Sequence, residues 1–218
     1  VPEVQSVYGR GDNSIYDQYS DNSWGAKMDG TQRQQWDPIS KANTMRPHLP
    51  VGKDNFKNFL EQGHVTNNNL NVAYNKDNLS LRNSLNWIEN KGRNPNSVLN
   101  KFTYTFGADV NLNKFRLSTN FSYARKASPN IGANNYTSYD RMYSILIWSP
   151  TDWNLADYKN NYWITPGILQ QNHFGLNAAG QNAGRDQNNP YFDSYEKINK
   201  ISRDIFNADV TASYQLTS

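Results

Sequence analysis

Eleven consecutive residues, Phe102 to Leu112, alternate without a break. Phe102, Tyr104, Phe106, Ala108, Val110 and Leu112 hold one parity, and Thr103, Thr105, Gly107, Asp109 and Asn111 hold the other. Successive side chains of a β-strand point to opposite faces, so this pattern specifies a strand with one apolar and one polar face. Strands of soluble proteins usually run five or six residues. A face held for ten or more restricts the chain to a few architectures.

The period recurs. Phe115, Leu117, Thr119, Phe121 and Tyr123 alternate with Arg116, Ser118, Asn120, Ser122 and Ala124. Near the end, Phe206, Ala208, Val210, Ala212, Tyr214 and Leu216 alternate with Asn207, Asp209, Thr211, Ser213 and Gln215. Upstream, Leu79, Leu81, Leu85 and Trp87 face away from Ser80, Arg82, Ser84 and Asn86. Leu70, Val72 and Tyr74 mark a weaker strand opening at His64, because Asn67-Asn68-Asn69 is poor strand material. The connections alternate as well: a turn-forming Asn75–Asn78, a longer link at Glu89–Leu99, a tight turn near Asn113, and a very long stretch at 126–195. Alternating short and long connections, and aromatics at strand ends (Tyr74, Trp87, Phe102, Tyr123, Tyr214), fit an outer-membrane barrel. A soluble β-sandwich is the alternative.

The expected fold is therefore all-β, an antiparallel up-and-down meander forming part of a large transmembrane β-barrel with long extracellular loops. Residues 1–63 are expected to form an irregular extracellular loop region, with a short helical turn through Phe56–Gln62. Residues 64–125 supply four barrel strands in two hairpins. Residues 126–195 form a long extracellular loop with a short helix at Asp140–Trp148, and 196–218 a further strand. Phe102, Phe106, Val110, Phe115, Leu117, Phe121, Val210 and Tyr214 are expected to face lipid, and Arg82, Asp109, Arg116 and Asn120 the lumen. The short turns fall on the periplasmic side and Asn134, in the long loop, outside.

Composition narrows the classes further. Only 36% of residues are hydrophobic and mean hydropathy is -0.88, with 33 asparagines, yet 29 aromatics set the chain apart from disordered sequences. The longest apolar run, Ile145–Trp148, falls far short of the roughly 20 residues of a transmembrane helix. The absence of cysteine excludes a disulfide scaffold, an iron–sulfur site and a thiolate zinc site. A net charge of +3 argues against nucleic acid as a partner. Val1-Pro2-Glu3 carries no signal-peptide pattern and Tyr214–Ser218 still reads as strand, so the chain is expected to be a portion of something longer.

Val7-Tyr8-Gly9-Arg10-Gly11, followed by Ser23-Trp24-Gly25-Ala26-Lys27-Met28-Asp29-Gly30, resembles the segment after the plug in SusC/RagA-type TonB-dependent outer-membrane transporters, where a YGQG precedes SWGPKMDG. Asn58-Phe59-Leu60-Glu61-Gln62-Gly63-His64-Val65-Thr66-Asn67-Asn68 is similar to the family's FFQTG-T-NN strand entry, and Asn189-Pro190-Tyr191-Phe192, ahead of Arg203, to its NPYW. The matches run in order over nearly the whole chain. Arg10, Ala26 and Phe192 depart from the usual Gln, Pro and Trp. The family's plug, TonB-contacting segment, first strand and most of its 22-stranded barrel have no counterpart here. The resemblance implies energised import of a bulky nutrient, a glycan or an oligopeptide, across the bacterial outer membrane. It also implies a SusD-like surface lipoprotein at the mouth, and TonB engaged by regions absent from this chain. Outer-membrane lipid would surround it. A secreted β-rich carbohydrate-binding or adhesion module is the alternative.

No residue pattern calls for catalysis, a cofactor or a metal. Asp109 and Asp209 sit on strand faces assigned to the lumen, and nothing singles out an acid and a base. His48, His64 and His173 lack ligand spacing and are expected at the surface or in the lumen. Asp12, Asp17 and Asp21 could offer oxygens to calcium but lack EF-hand spacing. Gly9-x-Gly11 is no phosphate loop without a strand–helix unit around it, and Arg10-Gly11-Asp12 reads as a coincidental integrin-type tripeptide. The long insertion is crowded with aromatics: Tyr139, Tyr143, Trp148, Trp153, Tyr158, Tyr162, Trp163, Tyr191 and Phe192. Such rings among amides suit sugars or peptides, although a small core of their own is the favoured reading. Trp148, Trp153, Trp163 and Tyr191 are the candidate contacts with substrate or partner.

Overall fold

The computed structural model describes residues 3–130, 141–183 and 187–217; Asn134, Tyr139 and Asp140 lie outside the described residues. In chain order the elements are β1 (Gly11–Asp12), β2 (Ile15–Tyr16), β3 (Gln32–Asp37), β4 (Ala42–Pro47), α1 (Asn55–Phe59), β5 (His64–Lys76), β6 (Leu79–Lys91), β7 (Val98–Leu112), β8 (Phe115–Asn130), α2 (Arg141–Ile147), a 3-10 turn (Leu155–Tyr158), β9 (Trp163–Thr165), β10 (Leu169–Gln170), α3 (Pro190–Tyr195) and β11 (Ile201–Tyr214). Strands hold 48% of the residues and helices 11%, and every sheet is antiparallel, so the protein is all-β in class. The chain divides into a first unit (Val1–Glu61, Arg93–Asn96, Gly132–Ile198) and a second unit (Gln62–Gly92, Ser97–Ile131, Asn199–Ser218).

The second unit is one five-stranded meander in the order β11-β8-β7-β6-β5. Asp77 and Asn113 turn the two tight hairpins at φ 47° and 49°, a left-handed conformation that Asp and Asn tolerate better than other side chains. Both tight turns fall at one end of the sheet. The 92–97 connection and the chain leaving Asn130 fall at the other. Strand bounds correct the expected ones. Pairing continues to Lys91 opposite Val98, so the link expected at Glu89–Leu99 shrinks to 92–97. Likewise β8 runs to Asn130 rather than 125, because Lys126–Ser128 pairs with Ile201–Arg203. In both places a partner strand satisfies the backbone of polar residues that would not predict strand alone.

Register gathers the alternating residues into rows across the sheet. Leu70, Leu85, Tyr104, Tyr123 and Phe206 form one row; Val72, Asn83, Phe106, Phe121 and Ala208 form the next. Phe121 meets Phe206 edge-on at 4.7 Å and Tyr104 at 6.0 Å. Arg82, Gly107, Asn120 and Asp209 share a row on the opposite face. Phe102, Phe106, Val110, Phe115, Leu117, Phe121, Val210 and Tyr214 thus share one face, and Arg82, Asp109, Arg116 and Asn120 the other. The apolar face is uncovered: Leu70, Val72, Trp87, Phe206, Val210 and Tyr214 are each more than half exposed.

The first unit is more ordered than its sequence suggests. Residues expected to be irregular contain the β3–β4 hairpin, in register from Gln32 opposite Pro47 to Asp37 opposite Ala42. Gln32-Arg33-Gln34-Gln35 carries no apolar alternation, so periodicity is silent there. The turn fixes the pairing instead: Asp37 accepts from the Ile39 N–H (3.1 Å) and the Ser40 hydroxyl (2.8 Å), a local Asx arrangement. Helix α1 covers Asn55–Phe59 where a turn through Phe56–Gln62 is expected, and Leu60 is already extended (φ -74°, ψ 137°). Helix α2 covers Arg141–Ile147 of the expected Asp140–Trp148. The unexpected α3 has a legible start: Asn189 accepts from the Tyr191 N–H (2.8 Å) with Pro190 at the first position. Trp36, Phe59, Ile145, Trp153, Leu155, Tyr158 and Tyr191 form the hydrophobic core of this unit.

Candidate functional site

The polar face of the sheet borders a hollow. All five strands line this hollow of about 550 Å³, with Asn71, Arg82, Thr105, Asn120, Ser122 and Asp209 among its walls. The same face carries a network of cross-strand hydrogen bonds. Arg82 donates to Asp109 at 2.8 Å, and the Ser118 hydroxyl donates to the same carboxylate. Asn120 donates to Asp209 at 3.1 Å, Asn86 to Asn67 at 2.7 Å and Asn207 to Ser122 at 3.2 Å. Gly107 makes room for this: a Cβ there would sit 3.1 Å from the Arg82 guanidinium and 3.2 Å from Asn120 Oδ1. Amides and hydroxyls in such a hollow can hydrogen-bond a polar ligand, and the Arg82–Asp109 pair fixes rather than attacks.

The four candidate aromatics of the first unit part company. Trp153 and Tyr191 are 4% and 2% exposed and lie in the core. Trp153 packs edge-on against Tyr158 at 4.9 Å and beside His173 at 4.5 Å. Tyr191 packs on Phe59 at 5.1 Å, and burial pushes its hydroxyl pKa up to about 12. Both rings are thus core members, and large rings suit that place. Trp148 is half-buried against Tyr143 at 6.2 Å. Trp163 is partly exposed. It borders a hollow of about 350 Å³ with Lys159, Asn160, Tyr162 and Tyr195. Tyr162 and Tyr195 lie nearly parallel, 16° apart at 6.2 Å. The Tyr162 hydroxyl and the Trp163 indole N–H both donate to Glu196 Oε1, at 3.1 and 3.4 Å. Tyr195, Glu196 and Lys159 escaped sequence reasoning, since only the fold of α3 against β9 assembles them.

A buried ionic group lies deeper in the first unit. Arg10 Nε donates to both oxygens of Asp152 at 3.1 Å and Nη2 to Oδ1 at 2.9 Å, while Nη1 donates to the carbonyls of Gln18 and His173. His48 Nε2 lies 3.1 Å from Asp152 Oδ2. Burial alone raises the Asp152 pKa, but the Arg10 charge and hydrogen bonds from His48 and Arg10 outweigh it and hold the carboxyl well below the usual range. Burial, helped by the Arg10 charge, holds His173 well below its ordinary value and so neutral. His48 and His173 are thus interior groups, not the surface or lumen histidines expected. Neither carries a period or spacing that marks burial. Arg10 is sealed in this group, so Arg10-Gly11-Asp12 is not displayed as a recognition tripeptide. A Cβ on Gly9 would overlap the His48 ring, which explains the glycine in the YGRG motif by close packing. Asp12 accepts both contacts of the Asn22 amide, and Asp17 accepts from the Tyr19 N–H.

Together these features define an all-β protein with a two-faced meander sheet and a separate aromatic core unit. No protein-family model matches the chain, and no curated protein is significantly similar to it.

Proposed function

We propose that the second unit is a section of the wall of an outer-membrane β-barrel, and that the protein works in TonB-dependent import of a glycan or oligopeptide. In this reading it performs no bond chemistry. The polar hollow borders the solute path, and a SusD-like surface lipoprotein meets the extracellular loops. TonB acts through regions outside this chain.

One observation carries the reading: a large sheet whose apolar face is uncovered while its polar face is the hollow one. A soluble sandwich covers the apolar face with a second sheet. Among the described residues the other sheets have two strands each. The height of the apolar band agrees. Its rows run from Trp87–Phe102, where the Arg125–Asp204 pair marks the band's edge, to Leu112–Phe115, five two-residue steps of about 3.4 Å per residue, or roughly 34 Å along the strand. Strands tilted by about 40° turn that into roughly 26 Å, close to the 25 Å or so of a barrel's lipid belt. Lone β5 and β11 edges are not viable in lipid, so the wall requires neighbouring strands.

Single cysteines in this cysteine-free chain test it. With the protein in the membrane, Thr105→Cys is expected to react with a water-soluble maleimide and Phe106→Cys with a membrane-soluble one alone. Equal reaction of both with the water-soluble reagent would overturn the wall. In whole cells Ala179→Cys is expected to label and Lys76→Cys to be protected; the reverse inverts the topology.

A further inference from the structure

The polar face of the sheet is electrically uneven. Toward its tight-turn end, two cations and two anions are interleaved: Arg82 and Arg116 with Asp109 and Asp209, and Arg82 pairs with Asp109 at 2.8 Å. Toward the other end, one row holds Asn67, Ile88, Lys101, Lys126 and Arg203. Lys101 stands directly opposite Lys126, and Lys126 directly opposite Arg203. All three are exposed. Among the described residues none of them enters an ion pair.

Nothing on that face compensates them. The nearest acid of the same face is Asp209, three rows and six residues away, roughly 20 Å along the strand and beyond the screening length of about 8–10 Å. Glu89 and Asp204 have the opposite parity, and Asp204 is taken by Arg125 at 3.9 Å and the Tyr123 hydroxyl at 2.7 Å. Like charges directly opposite in a ladder destabilise it. The sequence keeps three in succession.

We propose that Lys101, Lys126 and Arg203 form an anion-binding row, and that the ligand is an acidic oligosaccharide bearing carboxylate or sulfate groups. The adjoining rows favour a saccharide. Asn69, Asn86 and Thr103, then Ser84, Thr105 and Ser122, follow the cations along the same face and offer amides and hydroxyls to sugar hydroxyls. Arg203 can grip a carboxylate or sulfate through two parallel N–H donors, while the lysines act as point charges. The proposal deepens the importer reading and rests on the polar face bordering a water-filled path.

Calorimetry on the full-length protein in detergent micelles tests it, with trigalacturonate as the acidic probe and maltotriose as its neutral counterpart. Trigalacturonate is expected to bind, maltotriose at least about tenfold more weakly, and affinity for the acidic probe should fall as salt rises. Lys126→Gln should weaken trigalacturonate binding by about tenfold, with circular dichroism unchanged. Lys114→Gln, at the opposite end of the sheet, should leave it alone. Equal binding of both sugars, or full affinity in the Lys101→Gln/Lys126→Gln/Arg203→Gln variant, would overturn the row. Capture of anionic phospholipid vesicles without trigalacturonate binding would overturn the saccharide as ligand. Cysteine labelling at Thr105 and Phe106 reads the wall independently, so loss of the sugar result with that pattern intact would reject this proposal alone.

Discussion

The first unit hides its expensive groups and the sheet displays them. Arg10, His48 and Asp152 are buried and paired with one another, and among the described residues every buried large apolar side chain belongs to the first unit. The sheet has longer strands and the more regular pattern, yet it buries no large apolar residue among those described. Regularity and burial are therefore uncoupled here. An interior that supplies its own partners can use irregular sequence, because specific hydrogen bonds and ring contacts hold it. A single layer has no interior, so its alternation has meaning only through what lies against each face.

The largest expected effect tests whether the first unit depends on its sealed ions. Asp152→Ala leaves Arg10 and His48 buried without their acceptor, and breaking a buried pair by removing one partner costs about 3–5 kcal/mol. Five of the six tryptophans (Trp24, Trp36, Trp148, Trp153 and Trp163) belong to the first unit, so tryptophan fluorescence reads its urea unfolding almost alone. The midpoint should fall sharply while the β-sheet circular dichroism of the second unit holds. Coincident loss of both signals would break the contrast between the units.

The next effect tests the sheet by its faces. Phe106→Arg puts a charge in the middle of the apolar band and should cost about 2–4 kcal/mol in lipid. Thr105→Arg, one residue away on the hollow face, should be much milder. The readout is the folded fraction on refolding into lipid vesicles. Equal penalties would mean that both faces meet the same medium.

The sheet was legible because period two needs no tertiary knowledge. Once Asn113 is placed in a tight turn, counting outward sets Lys101 opposite Lys126, so two of the three cations of the row are legible in the sequence. Arg203 was not available, since the long connection before it leaves the β8–β11 register undetermined. The β3–β4 hairpin was illegible because Asp37 turn chemistry, not hydrophobic pattern, makes it. The Arg10–Asp152 pair, 142 residues apart, leaves no local trace. Of the candidate aromatics, size alone could not separate Trp163 at a hollow from Trp153 and Tyr191 in the core; their partners on α1, α3 and the 3-10 turn decide it.

The smallest effect concerns a badly served charge in the first unit. Asp193 on α3 accepts from the Asn188 amide at 2.8 Å and lies 3.8 Å from Lys197, but its Oδ2 is buried with no hydrogen-bond partner. Burial raises its pKa to about 6, against the lowering effects of Asn188 and Lys197. The folded chain thus holds this proton more tightly than the unfolded chain, whose carboxyl titrates near 3.9. Its stabilising protonation is complete below about pH 4 and is lost as pH rises through 6. Asp193→Asn removes the buried charge and sacrifices the Lys197 ion pair, for a net gain of about 1 kcal/mol at pH 7.5. The gain should shrink to nothing near pH 4. His173 acts in the opposite sense: held neutral by burial, it costs stability as the unfolded chain protonates below about pH 6.5. That cost is common to wild type and variant, so it cancels in their difference. Fluorescence-monitored urea midpoints at pH 7.5, 6 and 4 measure the trend. A variant less stable than wild type at pH 7.5 would show that the ion pair with Lys197 outweighs the burial of the charge.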